Sequence, residues 1–354
     1  MIRTVAIVGA GIGAEHLAAY VKLPDRYKVL CLCDLNADRA KAVVEPYGIE
    51  VETDLNVVLG SADIDIIDVC LPPHLHVPVS LSVLDAGKAV ICEKPLSTSL
   101  HEVDMLARKM EEKGGAVFPV FQYRYGLGTA QLAALMDAGL AGECYAGSLE
   151  THWDRGSDYY GVAWRGTWKG EQGGALLSHA IHIHDLLTSL VGPVARVYAE
   201  TATRVNNIET EDCAALSMRM ASGAVITSSV TLGAAGNTSR LRLMFEGFTV
   251  ESDHAAYSPA TESWKFTARY RSKQPVIDQV LSTVAPQPSG FLAMLIAISE
   301  HLDGRVANPV LLDDGRRSIE FVTAAYHSAR TLQPVSLPLN VDHPLYAGWL
   351  PTDV

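Results

Sequence analysis

The chain has 354 residues, 48% of them hydrophobic and 19% charged, enough apolar content for one large domain or two ordinary ones and too much for bulk disorder. Its 28 Lys and Arg stand against 40 Asp and Glu, and the net charge of -12 repels phosphate backbones, arguing against nucleic-acid and anionic-membrane partners. No apolar run reaches the roughly 18–20 residues a membrane span needs, and Met1, Ile2, Arg3 and Thr4 lead straight into a strand without a secretion-signal layout.

The first third alternates short β-branched runs with helical patterns. Strands are expected at 5–8, 28–33, 64–70, 89–92 and 116–121, and helices at 12–22, 37–47, 76–86 and 99–113. Strands with little polar alternation are buried on both faces, so the fold class is α/β, with an N-terminal doubly wound parallel sheet of about 120 residues. Six cysteines show no CxxC spacing and mostly sit in these apolar runs, which reads as core thiols in a reducing cytoplasm, with no disulfide framework.

After Gln122 the pattern changes. A helix at 129–138, a strand at 143–151 and a strong helix at 174–190 lead into strands at 195–203, 212–220 and 224–232, then one from 241 continuing to 250. Short polar turns between consecutive strands predict a C-terminal α+β domain with a large, mainly antiparallel sheet. Helices at 291–302 and 316–332 close the chain, and 254–287 shows no clear pattern and includes loop. The division expected is residues 1–122 for the dinucleotide and residues 123–354 for the substrate.

Gly9, Ala10, Gly11, Ile12, Gly13 and Ala14 join the first strand to the first helix. Gly9 permits the tight turn, Gly11 lets the backbone approach a pyrophosphate, and Ala14 takes the close-packing third position of GxGxx(G/A). The helix start at Ile12 offers unsatisfied N–H groups to phosphates. Asp34 ends the second strand about 20 residues on, where a carboxylate binds the adenosine ribose. A 2′-phosphate beside it would be repelled, which favours NAD over NADP unless Arg39 swings inward.

Glu93, Lys94 and Pro95 follow the strand ending at Cys92, on the carboxyl edge of the sheet where open α/β folds bind ligands. Lys94 is placed to steady a substrate oxygen, and Pro95 to fix the chain direction, for which a cis bond is one route. Downstream of Gly173 and Gly174, helical periodicity puts Ser178, His182 and Asp185 on one face and His184 nearly opposite. His179, His182 and His184 do not share a face and lack HExxH or cysteine partners, so no metal is expected. His182 is the candidate acid–base, an imidazole that exchanges a proton near neutral pH.

Gly9-Ala10-Gly11, Glu93-Lys94-Pro95, and Gly173-Gly174 with His182 and Asp185 downstream resemble the glucose–fructose oxidoreductase/inositol dehydrogenase (Gfo/Idh/MocA) family over nearly the whole chain. The resemblance implies an N-terminal Rossmann domain and a C-terminal domain whose open sheet forms a homodimer or homotetramer interface. It implies NAD as cofactor, NADP less so, and a small-molecule carbohydrate or polyol substrate. Carried over, Lys94 is the EKP lysine, His182 the catalytic histidine and Asp185 the aspartate that contacts substrate or supports the site. Many members have an aspartate where this chain has Ser178, a hydroxyl that orients a ring without adding charge.

Gln122 and Arg124 resemble the family's crossover segment, which faces cofactor or substrate. Leu71, Pro72 and His76 resemble its cofactor-side loop, where backbone contact outweighs histidine chemistry. The expected cofactor contacts are therefore Gly9, Gly11, Ile12, Asp34, Arg39, Leu71, Pro72, His76, Glu93, Lys94 and Gln122. Arg124, Trp164, Arg165, Ser178 and Asp185 join Lys94 and His182 toward substrate; the aromatic and ionic stretch through Trp153, Arg155, Tyr159 and Trp164 suits a sugar or anchors a loop. The expected activity is NAD-dependent oxidation of a secondary hydroxyl on a sugar, sugar derivative or cyclitol. The alternatives are glycoside cleavage through transient oxidation, and a non-catalytic NAD-binding sensor.

Overall fold

In a computed structural model, which describes residues 1–351, the apolar runs become two sheets. The chain divides into two compact units, Met1–Val120 with Met294–Arg316, and Phe121–Ala293 with Arg317–Val354.

The first unit alternates β1 (Arg3–Val8), α1 (Gly13–Tyr20), β2 (Tyr27–Cys33), α2 (Ala37–Val44), β3 (Glu50–Glu52), α3 (Leu55–Gly60), β4 (Ile66–Val69), α4 (His76–Asp85), β5 (Ala89–Cys92), α5 (Leu100–Lys113) and β6 (Val117–Pro119). Every pairing is parallel, in the order β3-β2-β1-β4-β5-β6. The order reverses between β1 and β4, which opens a crevice at their carboxyl ends. Val5, Ala6 and Ile7 are fully buried, as the continuous apolar run requires. Helix starts follow local chemistry: Asn36, Asp54 and Ser99 accept from the N–H groups of Arg39, Asn56 and Glu102. Edge strand β3 and helix α3 escape the sequence pattern because Glu50, Val51 and Glu52 are too few and too charged to show periodicity.

A contiguous division at 122 leaves the return of Met294–Arg316 to this unit out of account. Packing holds that return: Tyr27 Oη donates to the Leu295 carbonyl at 2.7 Å, and Phe118 meets His301 edge-on at 5.9 Å.

The second unit carries α6 (Leu127–Asp137), β7 (Cys144–Asp154), α7 (Ser157–Tyr160), α8 (Ile181–Val191), β8 (Val194–Ala202), β9 (Cys213–Met220), β10 (Val225–Thr231), β11 (Gly233–Phe245), β12 (Phe248–Glu251), β13 (Lys265–Ala268) and α9 (Gln274–Leu281). Then come α10 (Gly290–Leu302), which belongs to the first unit from Met294 on, α11 (Leu312–Thr331), which enters the second unit at Arg317, and β14 (Val335–Ser336). The eight-stranded sheet runs β13-β12-β11-β7-β10-β9-β8-β14, antiparallel except for β7 beside β10. Alternate residues of β9 and β10 are buried under one face, on the period-2 rule.

Two expectations change here, and one unread stretch is resolved. The strand expected from 241 to 250 is a hairpin, broken at Gly247, where an added Cβ would strike the Leu140 carbonyl. The stretch 254–287 contains β13 and α9 as well as loop. The helix expected from 174 to 190 opens as a π-helical turn over Leu176–Ala180 before α8 begins. That wider turn carries Ser178, and α8 begins one residue before His182.

Candidate active site

Gly9 has φ +107°, and a side chain there would run into the Cys70 carbonyl, so the turn after β1 admits only glycine. The close-packing position is Gly13 rather than Ala14: a Cβ on Gly13 would lie 2.8 Å from Ile7 Cγ2, whereas Ala14 is half-buried. A Cβ added at Gly11 would meet nothing within 4 Å, which leaves the approach to the turn clear, and Ile12 is 41% exposed. Asp34 accepts from the Ala10 N–H at 2.7 Å and the Asn36 N–H at 2.8 Å, and Arg39 Nη2 lies 2.7 Å from both its oxygens. Burial opposes the charge on Asp34, but these bonds, led by Arg39, outweigh it and hold the carboxyl below the usual range. A clear glycine turn facing an ionised strand-end carboxylate fits a dinucleotide.

At the end of β5, Glu93 is buried and Lys94–Pro95 is a cis peptide. Glu93 Oε2 accepts the Lys94 N–H at 3.0 Å, and its Oε1 lies 3.1 Å from His16 Nε2. His16 Nδ1 lies 2.8 Å from Asp68 Oδ2. Burial works against the His16 charge, yet Asp68 and Cys70 beside it raise its pKa well above the histidine norm. Burial likewise opposes ionisation of Glu93, but the His16 contact keeps it lowered. His76 is buried, with Nδ1 2.6 Å from the Pro95 carbonyl and Nε2 2.7 Å from the Leu71 carbonyl; burial lowers its pKa. Glu93 and His76 thus both bond the backbone of the loops around them, and Leu71 and Pro72 are half-exposed.

His16, Asp68 and Cys70 place ligand-type atoms within 4.8 Å of one another, the one such buried cluster among the described residues. Burial pushes the Cys70 thiol up and keeps it protonated, and the His16 contacts have hydrogen-bond lengths. The cluster reads as an ion-paired network more than a metal site. All six cysteines are free thiols.

In the second unit, His182 is buried at the start of α8 and stacks on Tyr123 at 4.6 Å and 18°, with Phe121 edge-on at 6.1 Å. Gln122, between Phe121 and Tyr123 in sequence, keeps its buried Oε1 without a hydrogen-bond partner among the described residues, an orphaned acceptor that calls for a donor. Asp185, fully buried, takes a bidentate pair from Arg124, Nε at 2.7 Å and Nη2 at 2.6 Å. The two residues assigned to substrate thus hold the Gln122 segment against α8. Ser178 Oγ donates to the Gly174 carbonyl at 2.8 Å and meets His179 Nδ1 at 2.8 Å, so the hydroxyl serves His179. His184 faces the core, bonded to Ser228 Oγ at 2.9 Å, with burial pushing its pKa down to about 3.

Beyond β7, Arg155 lies over Trp153 at 4.7 Å and Tyr159 at 5.2 Å, and its Nη2 donates to Tyr257 Oη at 2.6 Å. Arg165 stacks on Tyr159 at 3.8 Å and Trp164 at 4.7 Å. Asp154, Arg155, Ser157, Asp158, Tyr159 and Tyr257 line a cavity of about 510 Å³.

Sequence reasoning missed Glu211, whose Oε2 accepts from Gly174 N at 3.1 Å and whose Oε1 accepts from Leu176 N and Tyr326 Oη, each at 3.0 Å. Gly174 is glycine because a Cβ would strike the Glu211 backbone carbonyl. No local pattern announces Glu211. Asp68 did leave a signal, a lone charge in the apolar run Ile66, Ile67, Asp68, Val69.

The family model described as GFO/IDH/MocA, an oxidoreductase family with an NAD-binding Rossmann fold, matches residues 3–121, and the GFO/IDH/MocA C-terminal domain model matches residues 129–251. Inositol 2-dehydrogenase of Salmonella typhimurium is 29% identical over 147 residues, 40% of this chain and 44% of that protein. D-glucoside 3-dehydrogenase of Escherichia coli is 29% identical over 190 residues, 53% of this chain and 54% of that protein. The chain spans about half the length of these curated relatives. The crystal structure of the WlbA dehydrogenase from Bordetella pertussis with NADH and UDP-GlcNAcA has a TM-score of 0.83 and 27% identity, covering 96% of this chain and 100% of that one. Among the described residues no helix is long and apolar enough to cross a membrane.

Proposed function

The chain belongs to the Gfo/Idh/MocA family of NAD-binding oxidoreductases, and we propose that it oxidises a secondary hydroxyl of a sugar, sugar derivative or cyclitol, or reduces the matching ketone. One observation carries the reading: the buried His182 ring stacks on Tyr123, whose neighbour in the chain, Gln122, keeps a buried amide oxygen without a hydrogen-bond partner among the described residues. Bound NAD supplies the hydride acceptor. The Gly9–Ile12 turn, Asp34 and the Leu71 and Pro72 backbone are the residues that would hold it.

His182 takes the hydroxyl proton, and Lys94 donates to the same oxygen as negative charge develops on it. The Arg124–Asp185 pair keeps Gln122 in place. The cavity beside β7 offers flat rings for C–H faces and ions for hydroxyls, the mixture a carbohydrate needs. A homodimer or homotetramer belongs to the same proposal, and sedimentation velocity distinguishes these from a monomer.

The test is a panel of myo-inositol, methyl glucosides and UDP-linked uronic acids, with NAD or NADH and product analysis. The proposal expects stoichiometric NADH with an oxidised sugar, or its reverse, for at least one member. Cleavage or dehydration without net NADH would replace it with chemistry through transient oxidation, and binding without turnover throughout would overturn it.

A further inference from the structure

The EKP segment is held by two buried imidazoles that the hydride-transfer reading does not use. Asp68 lies in β4, His16 in α1 and Glu93 at the end of β5, with exposures of 0%, 1% and 5%. The chain of contacts runs from Asp68 Oδ2 to His16 Nδ1 at 2.8 Å, from His16 Nε2 to Glu93 Oε1 at 3.1 Å, and from the Lys94 N–H to Glu93 Oε2 at 3.0 Å. His16 meets a carboxylate at each nitrogen, and carboxylates accept, so only the doubly protonated ring satisfies both contacts. One fixed cation thereby sets the Glu93 rotamer, and Glu93 sets the peptide plane on which Lys94 stands. His76 fixes the far side through the Pro95 carbonyl at 2.6 Å.

An ordinary core ion pair would need no route to the chain beyond its own side chains. This one ends on the backbone N–H of the residue assigned to the substrate oxygen. An error of about 1 Å in such a group costs turnover without abolishing binding. We infer that His16 is a positioning residue for Lys94, acting through Glu93, with Asp68 orienting its ring. The inference rests on the reading of Lys94 as the residue that steadies the substrate oxygen.

The test uses His16→Gln, Glu93→Gln, Lys94→Ala and the two double variants with Lys94→Ala, each assayed well below its melting temperature. His16→Gln should lower kcat ~10- to 100-fold with the KM for NAD changed less than about three-fold. Added to Lys94→Ala it should cost almost nothing further, because both act through one amine. Hydrogen–deuterium exchange should rise in the peptide covering 93–97 in His16→Gln, a readout that needs no substrate. Should His16→Gln not fold, Glu93→Gln with Lys94→Ala reads the same coupling.

Losses that multiply in the double variant, or a folded His16→Gln with normal kcat and unchanged exchange at 93–97, would overturn the positioning role. If Lys94→Ala itself keeps full turnover, the role given to Lys94 fails instead. The exchange result then decides separately whether His16 holds the segment.

Discussion

Arg39 has swung inward onto Asp34, which makes this pair the place to test the choice between NAD and NADP. Arg39 Nη2 sits 2.7 Å from both Asp34 oxygens, so the carboxylate is ionised and its hydroxyl-accepting edge is shared with a guanidinium that is itself 57% exposed. A ribose diol suits that carboxylate; a 2′-phosphate would require Arg39 to turn away from Asp34 and toward the phosphate. Asp34→Ala should lower kcat/KM for NAD by roughly 10- to 100-fold, the worth of hydrogen bonds to a charged group. With Arg39 released, the same variant should gain relative use of NADP. Parallel kinetics with both cofactors check this, and an unchanged NAD:NADP ratio in Asp34→Ala would contradict it.

At the scale of elements, the π turn before α8 is the departure that most shapes the second unit. Leu176–Ala180 forms a wide turn, and the N–H groups of Gly174 and Leu176 at its start both point at Glu211. Burial raises the Glu211 pKa to about 7, against the lowering effect of its donors. A carboxyl whose folded pKa lies above its unfolded value of 4.5 binds more protons when folded, so stability falls as pH rises from about 4.5 to 7 and is flat beyond. The full loss is roughly 3 kcal/mol. Glu211→Gln removes this ionisation, so the melting temperature of wild type relative to the variant should drop by several degrees between pH 5 and pH 8. His184 works in the opposite sense: its folded pKa of about 3 makes it lose stability as pH falls from 6.5 toward 3. Melting curves from pH 4 to pH 8 separate the two, and a wild type and Glu211→Gln that shift in parallel across that range would refute the Glu211 assignment.

Across the whole molecule, legibility followed burial. The parallel sheet was readable because runs such as Val5, Ala6 and Ile7 are buried on both faces and leave no polar alternation. The glycine turn, Asp34 at the end of its strand and the position of His184 away from the helix face of His182 followed from residue type and spacing. What was not readable depends on contacts distant in sequence. His16 reaches Glu93 across 77 positions, and Tyr326 reaches Glu211 across 115. The π turn was not foreseen, because no residue in Leu176–Ala180 marks an i→i+5 bond. Return of Met294–Arg316 to the first unit depends likewise on packing, with Gly315 set against Leu96 and Pro119.

The proposed activity rests on Lys94 as the amine that steadies the substrate oxygen and on His182 as the acid–base that takes its proton. Steady-state kcat of Lys94→Ala and His182→Ala, measured beside NAD affinity by quenching of protein fluorescence, decides it. Each variant should lose at least ~100-fold in kcat, the scale of lost general acid–base help, with NAD affinity within about three-fold of wild type. Turnover within a few-fold of wild type in both variants would contradict that activity.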